Sequence, residues 1–328
     1  MPQNKSLEPV TFPMNLRFDE KPTTEFKNDL ESINITLLDH PDPYKARRMV
    51  YQFINATWED EPGLHNPDDV PEWKMFQALE AALQFKALPT VLETLDFTFR
   101  IEGIDVQTVT HLIRHRTGSF SAQCTGDRWQ SHAAALVPGP IQNSPELYAR
   151  WQALVEESKQ LYCDMIDTRK ISIMDARTIL PKCIETHYYA RFNLKDLLNF
   201  IRQRMDKQIQ PTTDNVIAYQ MYLAVANIFP EVTTVVNMHS ASRHYIATAR
   251  TGKATNLYWP DEDSDKFDWH PQDFIYTCYR DEVNGTDPEL GRRENFKFTE
   301  IADHHDRAVT DLVEKYNAWK EEVGFENP

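Results

Sequence analysis

Glycine is scarce in this chain: nine of 328 residues, under half of the roughly 7% found in an average protein. The nine stand at positions 63, 103, 118, 126, 139, 252, 285, 291 and 324, and no pair has the spacing of G-x-G-x-x-G or G-x-x-x-x-G-K. Gly285 and Gly291 come nearest, one residue too wide and followed by Arg292. A Rossmann dinucleotide site and a P-loop in their usual forms are thereby excluded. Any phosphate this protein binds must be held by other groups.

Positive charge is also short, with 35 basic against 50 acidic residues and a net charge of −15. Such a field repels nucleic acid and anionic membranes, so neither is expected as a partner. There are four cysteines, at 124, 163, 183 and 278. They form no C-x-x-C pair, so neither a zinc ribbon nor a dense disulfide framework is readable, and reduced thiols in a cytosol fit best. No run of 18 apolar residues occurs, and Met1-Pro-Gln-Asn-Lys5 leads into a polar, proline-containing stretch. Neither a membrane span nor an export signal is expected, and the expected location is cytoplasmic.

Hydrophobic residues make up 41% of the chain and aromatics 11%, enough for a sizeable core. Residues 1–31 carry four prolines among charges and read as an N-terminal arm. From 32 to 235 periodic segments alternate. Strands are expected at 33–37, 95–101 and 187–192, the clearest being Leu95, Phe97, Phe99 and Ile101 against Asp96, Thr98 and Arg100. Helices are expected at 44–56, 72–86, 105–116, 144–168, 193–205 and 213–228, with a short one from Ser172 towards Pro181. Their starts are marked by Ser144-Pro145, Ser172-Ile-Met-Asp175 and Asn193. Residues 236–328 form an aromatic-rich extension expected to pack on the body, ending in a helix with Ile301, Ala308, Leu312, Tyr316 and Trp319 on one face. The fold class expected is mixed α/β (α+β), a central sheet flanked by helices.

Two clusters carry chemistry. Between Asp105 and Arg116 the apolar stripe is Val106, Val109, Leu112 and Ile113; on a continuous helix Arg116 falls on that stripe, with His111 and His115 opposite. Arg114-His115-Arg116 is either a basic helix C-terminus or a grip for an anion. The following Thr117-Gly-Ser-Phe-Ser-Ala-Gln-Cys-Thr-Gly-Asp-Arg-Trp129 favours the grip, because it offers hydroxyls, amides and Arg128 in a loop. The second cluster is the helix after Asn193, where Arg204 sits at the edge of the stripe formed by Leu194, Leu197, Leu198, Ile201 and Met205. Arg204 reads either as a salt-bridged residue flanking the core or as a site residue, and Arg177 has the same ambiguity.

These pieces together resemble the flavin-dependent thymidylate synthases. Arg114-His-Arg116 with Ser119, Gln123, Thr125 and Arg128 is similar to the family's signature, and Ala176-Arg-Thr-Ile-Leu-Pro181 and Asn193 to Asp206 are similar to its second and third blocks, in order. The resemblance spans about residues 33–235. It implies the family's fold, assembled as a homotetramer with sites at subunit junctions, and reductive methylation of dUMP to dTMP. The carbon would come from methylenetetrahydrofolate and the hydride from FAD reduced by NADPH, so the implied partners are a pyrimidine nucleotide, a folate and further copies of the chain. By position, Thr57, Thr90, Glu93, Arg114, His115, Arg116, Asn193, Lys195 and Asn199 would hold the flavin. His111, Gln123, Cys124, Thr125, Gly126 and Arg128 would contact the nucleotide, with Arg177 and Arg204 reaching in from another subunit and Arg204 acting in catalysis. No metal is implied.

The chain also departs from the family. Arg128 lies twelve residues after Arg116, a longer loop than usual; Thr125 replaces a serine, Leu88 and Gln208 replace histidines, and Gln210-Pro-Thr-Thr213 replaces a more helical segment. A methylase or hydroxymethylase of another pyrimidine nucleotide is therefore the alternative, followed by a non-catalytic nucleotide-binding protein. Cys124 as a nucleophile lacks a base pattern. His111 and His115 lack the carboxylate of a metal motif, and Asp303-His-His-Asp306, which would suggest a metal-dependent hydrolase, reads better as a solvated helix face.

Overall fold

Strict alternation at 95–101 places one row of side chains on each face of a strand. The computed structural model describes residues 23–235 and 311–325, apart from 58, 62, 64, 65, 85, 124–128 and 205–211. In chain order come β1 (Phe26–Asn28), β2 (Asn34–Asp39), α1 (Pro43–Asn55), α2 (Glu72–Leu83), β3 (Asp96–Asp105), α3 (Val106–Leu112), β4 (Ser119–Ala122) and β5 (Ala135–Val137). They are followed by α4 (Gly139–Gln142), α5 (Pro145–Asp167), α6 (Ile173–Ala176), β6 (Glu185–Asn193), α7 (Leu194–Arg204) and α8 (Thr212–Ala226). Residues 311–322 form a further helix, and 3-10 turns span Pro67–Asp69, Pro89–Thr94, Arg177–Ile179 and Pro230–Val235. No helix among the described residues is long and apolar enough to cross a membrane.

Four strands form one antiparallel sheet in the order β2-β3-β6-β4, while β1 and β5 pair in parallel as a separate ribbon. Phe97, Phe99 and Ile101 of β3, with Tyr188, Ala190 and Phe192 of β6, point to one side. There they meet Val50 of α1, Leu79 and Leu83 of α2, Leu197 and Ile201 of α7 and Ile217 and Val225 of α8 in one core. The expected mixed α/β architecture, a central sheet flanked by helices, is what forms. The other row, including Thr98, Arg100, Tyr189 and Arg191, stays partly or fully exposed.

Local chemistry sets the ends of the elements. Asp42 accepts from the Lys45 amide (2.9 Å) ahead of Pro43, so the first turn of α1 starts with its donors satisfied. Asn193 caps α7 reciprocally: its Oδ1 accepts from the Asp196 amide (2.9 Å) and its Nδ2 donates to Asp196 Oδ2 (2.8 Å). Gly103 sits at φ +67° where β3 bulges, and a Cβ there would lie 1.7 Å from the Ser32 carbonyl oxygen. Only glycine fits that approach.

Two expectations need correction. The helix expected over 105–116 stops at Leu112, with Ile113 as its cap, so a wheel drawn through Arg116 assigns its last residues to the wrong sides. Arg116 is exposed and His115 is turned partly inward. The segment expected as a loop after Arg116 begins with β4, which gains its strand form by pairing Ser119 with Arg191 and Ser121 with Tyr189 on β6.

A charged cluster lies between α1, α2 and the 311–322 helix. Arg47 forks onto Glu231, with Nη2 to Oε2 at 2.9 Å and Nε to Oε1, and its guanidinium stands 3.7 Å over the Phe76 ring. Lys320 donates to Glu80 Oε1 at 2.8 Å, and Trp319 packs on Phe76 with ring centroids 4.5 Å apart.

Candidate functional site

Where the ends of α3 and α7 and the start of α8 meet, the structure gathers Arg204, His111, His115 and Asp214 of one chain, so Arg204 meets its own chain's His111 and does not stand opposite it from another subunit. Arg204, the last residue of α7, keeps only 7% of its side chain exposed. Its guanidinium donates through Nε to His115 Nε2 (2.9 Å), through Nη1 to Asp214 Oδ2 (2.9 Å) and through Nη2 to the His111 carbonyl (3.1 Å). His111 Nδ1 lies 2.7 Å from the same carboxylate oxygen, and its Nε2 lies 3.0 Å from Nη1. Nη1 stands about equally far from His111 Nδ1, at 3.1 Å, so it lies over the imidazole ring, while an ionised Asp214 can only accept and orients a proton on Nδ1 towards itself. Asn215 Nδ2 donates to the Arg204 carbonyl (2.6 Å), closing the end of α7.

Burial, then the positive Arg204 and then His111 hold the His115 imidazole down to about 4. It is neutral near pH 7, as an acceptor of Arg204 must be. Its ring stands edge-on to Phe200, 4.8 Å between centroids. The unfolded imidazole titrates at 6.5, so between pH 6.5 and 4 the unfolded chain takes up a proton that the folded one refuses. Stability contributed by neutral His115 is complete above pH 6.5 and is lost as pH falls towards 4. Urea midpoints of the wild type are expected to decline over that window more steeply than those of His115→Gln, whose amide oxygen accepts from Arg204 without titrating. Equal slopes would place the proton uptake elsewhere.

The other residues singled out by the sequence lie apart from this cluster. Arg114 and Arg116 are exposed beyond α3, Arg114 donating from Nε to the Thr110 carbonyl (3.2 Å). Along α7 lie half-buried Asn193, Lys195 paired with Glu93, and exposed Asn199. Glu93 and Thr90 belong to the Pro89–Thr94 turn, which packs on α1 and α7, and Thr57 follows α1 with its hydroxyl on the Ile54 carbonyl (3.0 Å). Gln123 continues β4: its amide donates to the His187 carbonyl (3.1 Å) and its Oε1 accepts from Thr186 (3.4 Å). Arg177 opens the turn Arg177–Ile179 that packs on α5, away from the α3–α7 junction by element. Cys124, Thr125, Gly126 and Arg128 lie outside the described residues, as do Gln208 and Asp303 to Asp306.

Sequence reasoning missed Asp214 and Tyr188. Asp214 is 1% exposed in its side chain, and its second oxygen finds no hydrogen-bond partner among the described residues. The Tyr188 hydroxyl is also buried without one, and burial pushes it far above the usual phenol range. The signal for Asp214 was indirect: a guanidinium at a core edge requires an anion, and this acid stands in the first turn of the next helix.

A sequence profile of the family described as thymidylate synthase complementing protein matches residues 36–231. The flavin-dependent thymidylate synthase of Pyrococcus furiosus is 31% identical over 125 residues, which is 37% of this chain and 51% of that protein. The corresponding enzyme of Geobacter sulfurreducens is 27% identical over 149 residues, 44% of this chain and 62% of that protein. The chain thus spans about half to three-fifths of the length of the curated relatives it matches. Among solved structures, the UMP/dUMP methylase PolB from Streptomyces cacaoi bound with 5-Br dUMP covers 64% of this chain and 97% of its own, at 19% identity and a TM-score of 0.54. Its form bound with 5-Br UMP gives a TM-score of 0.52. At that identity the likeness is one of fold.

Proposed function

The chain belongs to the thymidylate synthase complementing protein family, the flavin-dependent thymidylate synthases, and from that premise we propose that it methylates a pyrimidine nucleotide at C5, dUMP to dTMP. Methylenetetrahydrofolate is the carbon donor, FAD the cofactor and NADPH the reductant. The observation that carries this reading is the contact of Arg204 with both His111 and His115, which joins the first and third blocks singled out in the sequence at one point.

The donor set suits an anionic dinucleotide. Arg114 and Arg116 offer exposed cations, Asn199 an exposed amide, Thr57 and Thr90 exposed hydroxyls, and Lys195 is placed by Glu93. Side chains of this kind replace the glycine-rich cradle that the sequence lacks. The bound flavin would supply the electrons that complete the methyl group. The chain's own residues then have to position and polarise. Arg128 and Arg177 hold the nucleotide phosphate, with Gln123, Cys124, Thr125 and Gly126 along the nucleotide and His111 beside it, in a tetramer whose sites lie at subunit junctions. C5 of uracil is a weak nucleophile; Arg204 facing a ring carbonyl stabilises the enolate-like form of the ring, whose negative charge on that oxygen is the electron density C5 gives to the methylene carbon. His115, neutral and accepting, leaves the charge of Arg204 undiminished by proton transfer.

A second reading is favoured by the departures from the family pattern at Leu88, Thr125 and Gln208 and by the UMP/dUMP methylase likeness: another pyrimidine nucleotide, as UMP or a cytidine nucleotide, is methylated or hydroxymethylated. One experiment separates the two. Purified protein is expected to be yellow and to take up FAD. Reduced anaerobically and given dUMP, dCMP, UMP or CMP with methylenetetrahydrofolate, it is expected to add a methyl mass to dUMP. Modification of a different nucleotide selects the second reading, and a colourless protein that takes up no FAD refutes both.

A further inference from the structure

Among the described residues two buried arginine–carboxylate pairs are built on opposite plans. Arg47 and Glu231 form a fork in which two nitrogens meet two oxygens, the arrangement that maximises attraction. Arg204 and Asp214 meet through one oxygen only. Oδ2 takes both Arg204 Nη1 at 2.9 Å and His111 Nδ1 at 2.7 Å, while Oδ1 is buried without a hydrogen-bond partner among the described residues. A buried charge pair is no more stabilising than an apolar pair of the same volume, and an unsatisfied carboxylate oxygen makes it less so. Stability alone is a poor reason for this pair.

Orientation is a better one. Each nitrogen of the Arg204 guanidinium has a fixed partner: His115 on Nε, Asp214 on Nη1 and the His111 carbonyl on Nη2. Of these only Asp214 carries formal charge, and by binding His111 Nδ1 it also fixes the ring that supports Nη1. Asp214 lies ten positions beyond Arg204, in the first turn of α8, next to the Gln210-Pro-Thr-Thr213 segment that departs from the family pattern. We propose that Asp214 is the positioning residue of Arg204, aiming the guanidinium at the pyrimidine ring from its single-oxygen contact and setting the tautomer of His111. This role rests on the proposed function, in which Arg204 faces the nucleotide.

The test uses full-length, FAD-loaded protein with dUMP as the probe. Asp214→Asn keeps size and removes charge; it is expected to lower kcat at least a hundredfold and weaken dUMP binding at least tenfold, with flavin content unchanged. Asp214→Glu keeps the charge and displaces the carboxylate by one methylene. It is expected to fold, to lose about tenfold in kcat and to recover at least tenfold relative to Asp214→Asn. A merely structural acid would change melting temperature and flavin content, not kcat in the folded, flavin-loaded fraction. Wild-type turnover accompanied by unchanged kcat in Asp214→Glu overturns the positioning role, whether or not Asp214→Asn folds. Wild-type protein that neither binds nor converts dUMP overturns the functional reading and this role with it.

Discussion

Replacing Arg204 by alanine is expected to lower nucleotide turnover by about a thousandfold or more, roughly 4 kcal/mol of transition-state stabilisation, while FAD remains bound. The size follows from its place: it is the cation assigned to the charge developing on the pyrimidine, held by three neighbours and 7% exposed. The same substitution leaves Asp214 buried without its counter-charge, which costs about 3–5 kcal/mol in stability. Activity and folding therefore have to be separated. In Arg204→Ala/Asp214→Asn both charges are gone, so most of the stability is expected to return and none of the turnover. Single-turnover rates on the folded fraction, fixed by circular dichroism and flavin absorbance, make the comparison. Turnover within tenfold of wild type in a folded Arg204→Ala protein would remove Arg204 from the mechanism.

Arg47→Met is expected to give the largest loss of stability away from the site, about 3–5 kcal/mol by urea denaturation, because it strands Glu231 in the core. The Glu231 side chain is fully buried and Arg47 is 7% exposed. Burial pushes the Glu231 carboxyl up from its ordinary value, and the hydrogen bond and charge of Arg47 pull it the other way. The arginine also gives up its stacking on Phe76 and a more distant contact with Phe229. Removing both charges, in Arg47→Met/Glu231→Gln, is expected to recover at least half of the loss. A single-variant loss below about 1 kcal/mol would show that water reaches Glu231 in the folded protein.

Much of the architecture was legible because local rules and global packing agree in this chain. The alternation at 95–101 became β3, and Asn193 became a cap because its neighbour at 196 is an aspartate able to reciprocate. Legibility failed where an outcome depended on a partner remote in sequence. The wheel through Arg116 presumed a continuous helix, but the helix ends at Leu112, and a stop four residues early is enough to exchange inward and outward side chains. β4 has one large apolar residue, Phe120, in a four-residue run; it is a strand because β6 pairs with it, which no reading of Ser119 to Ala122 alone can supply. Asp214 was hidden for a related reason. An acid in a first helical turn is explained by the helix dipole, and its role as counter-ion emerges only when α7 and α8 are brought together. Of the candidate site, the Arg204, His111 and His115 cluster was named residue by residue but not its geometry. The reading had the two histidines opposite the buried stripe, whereas both touch Arg204.

The bond from Lys320 to Glu80 joins residues 240 positions apart, and this has a temporal consequence. On the ribosome α1 and α2 emerge early, yet Glu80, which is 3% exposed in the finished protein, must await a lysine made much later. Its burial cannot be completed during early synthesis, whatever the helical propensity of α2. The sheet can close once β6 has been made, but the layer over α2 has to wait for a long-range encounter, whose loop-closure entropy slows folding. Residues 311–322 are thus a late-acting seal. In the interval the aromatic surface around Phe76, where Trp319 will later pack, is exposed on the nascent chain, and such surface is open to aggregation before folding is complete.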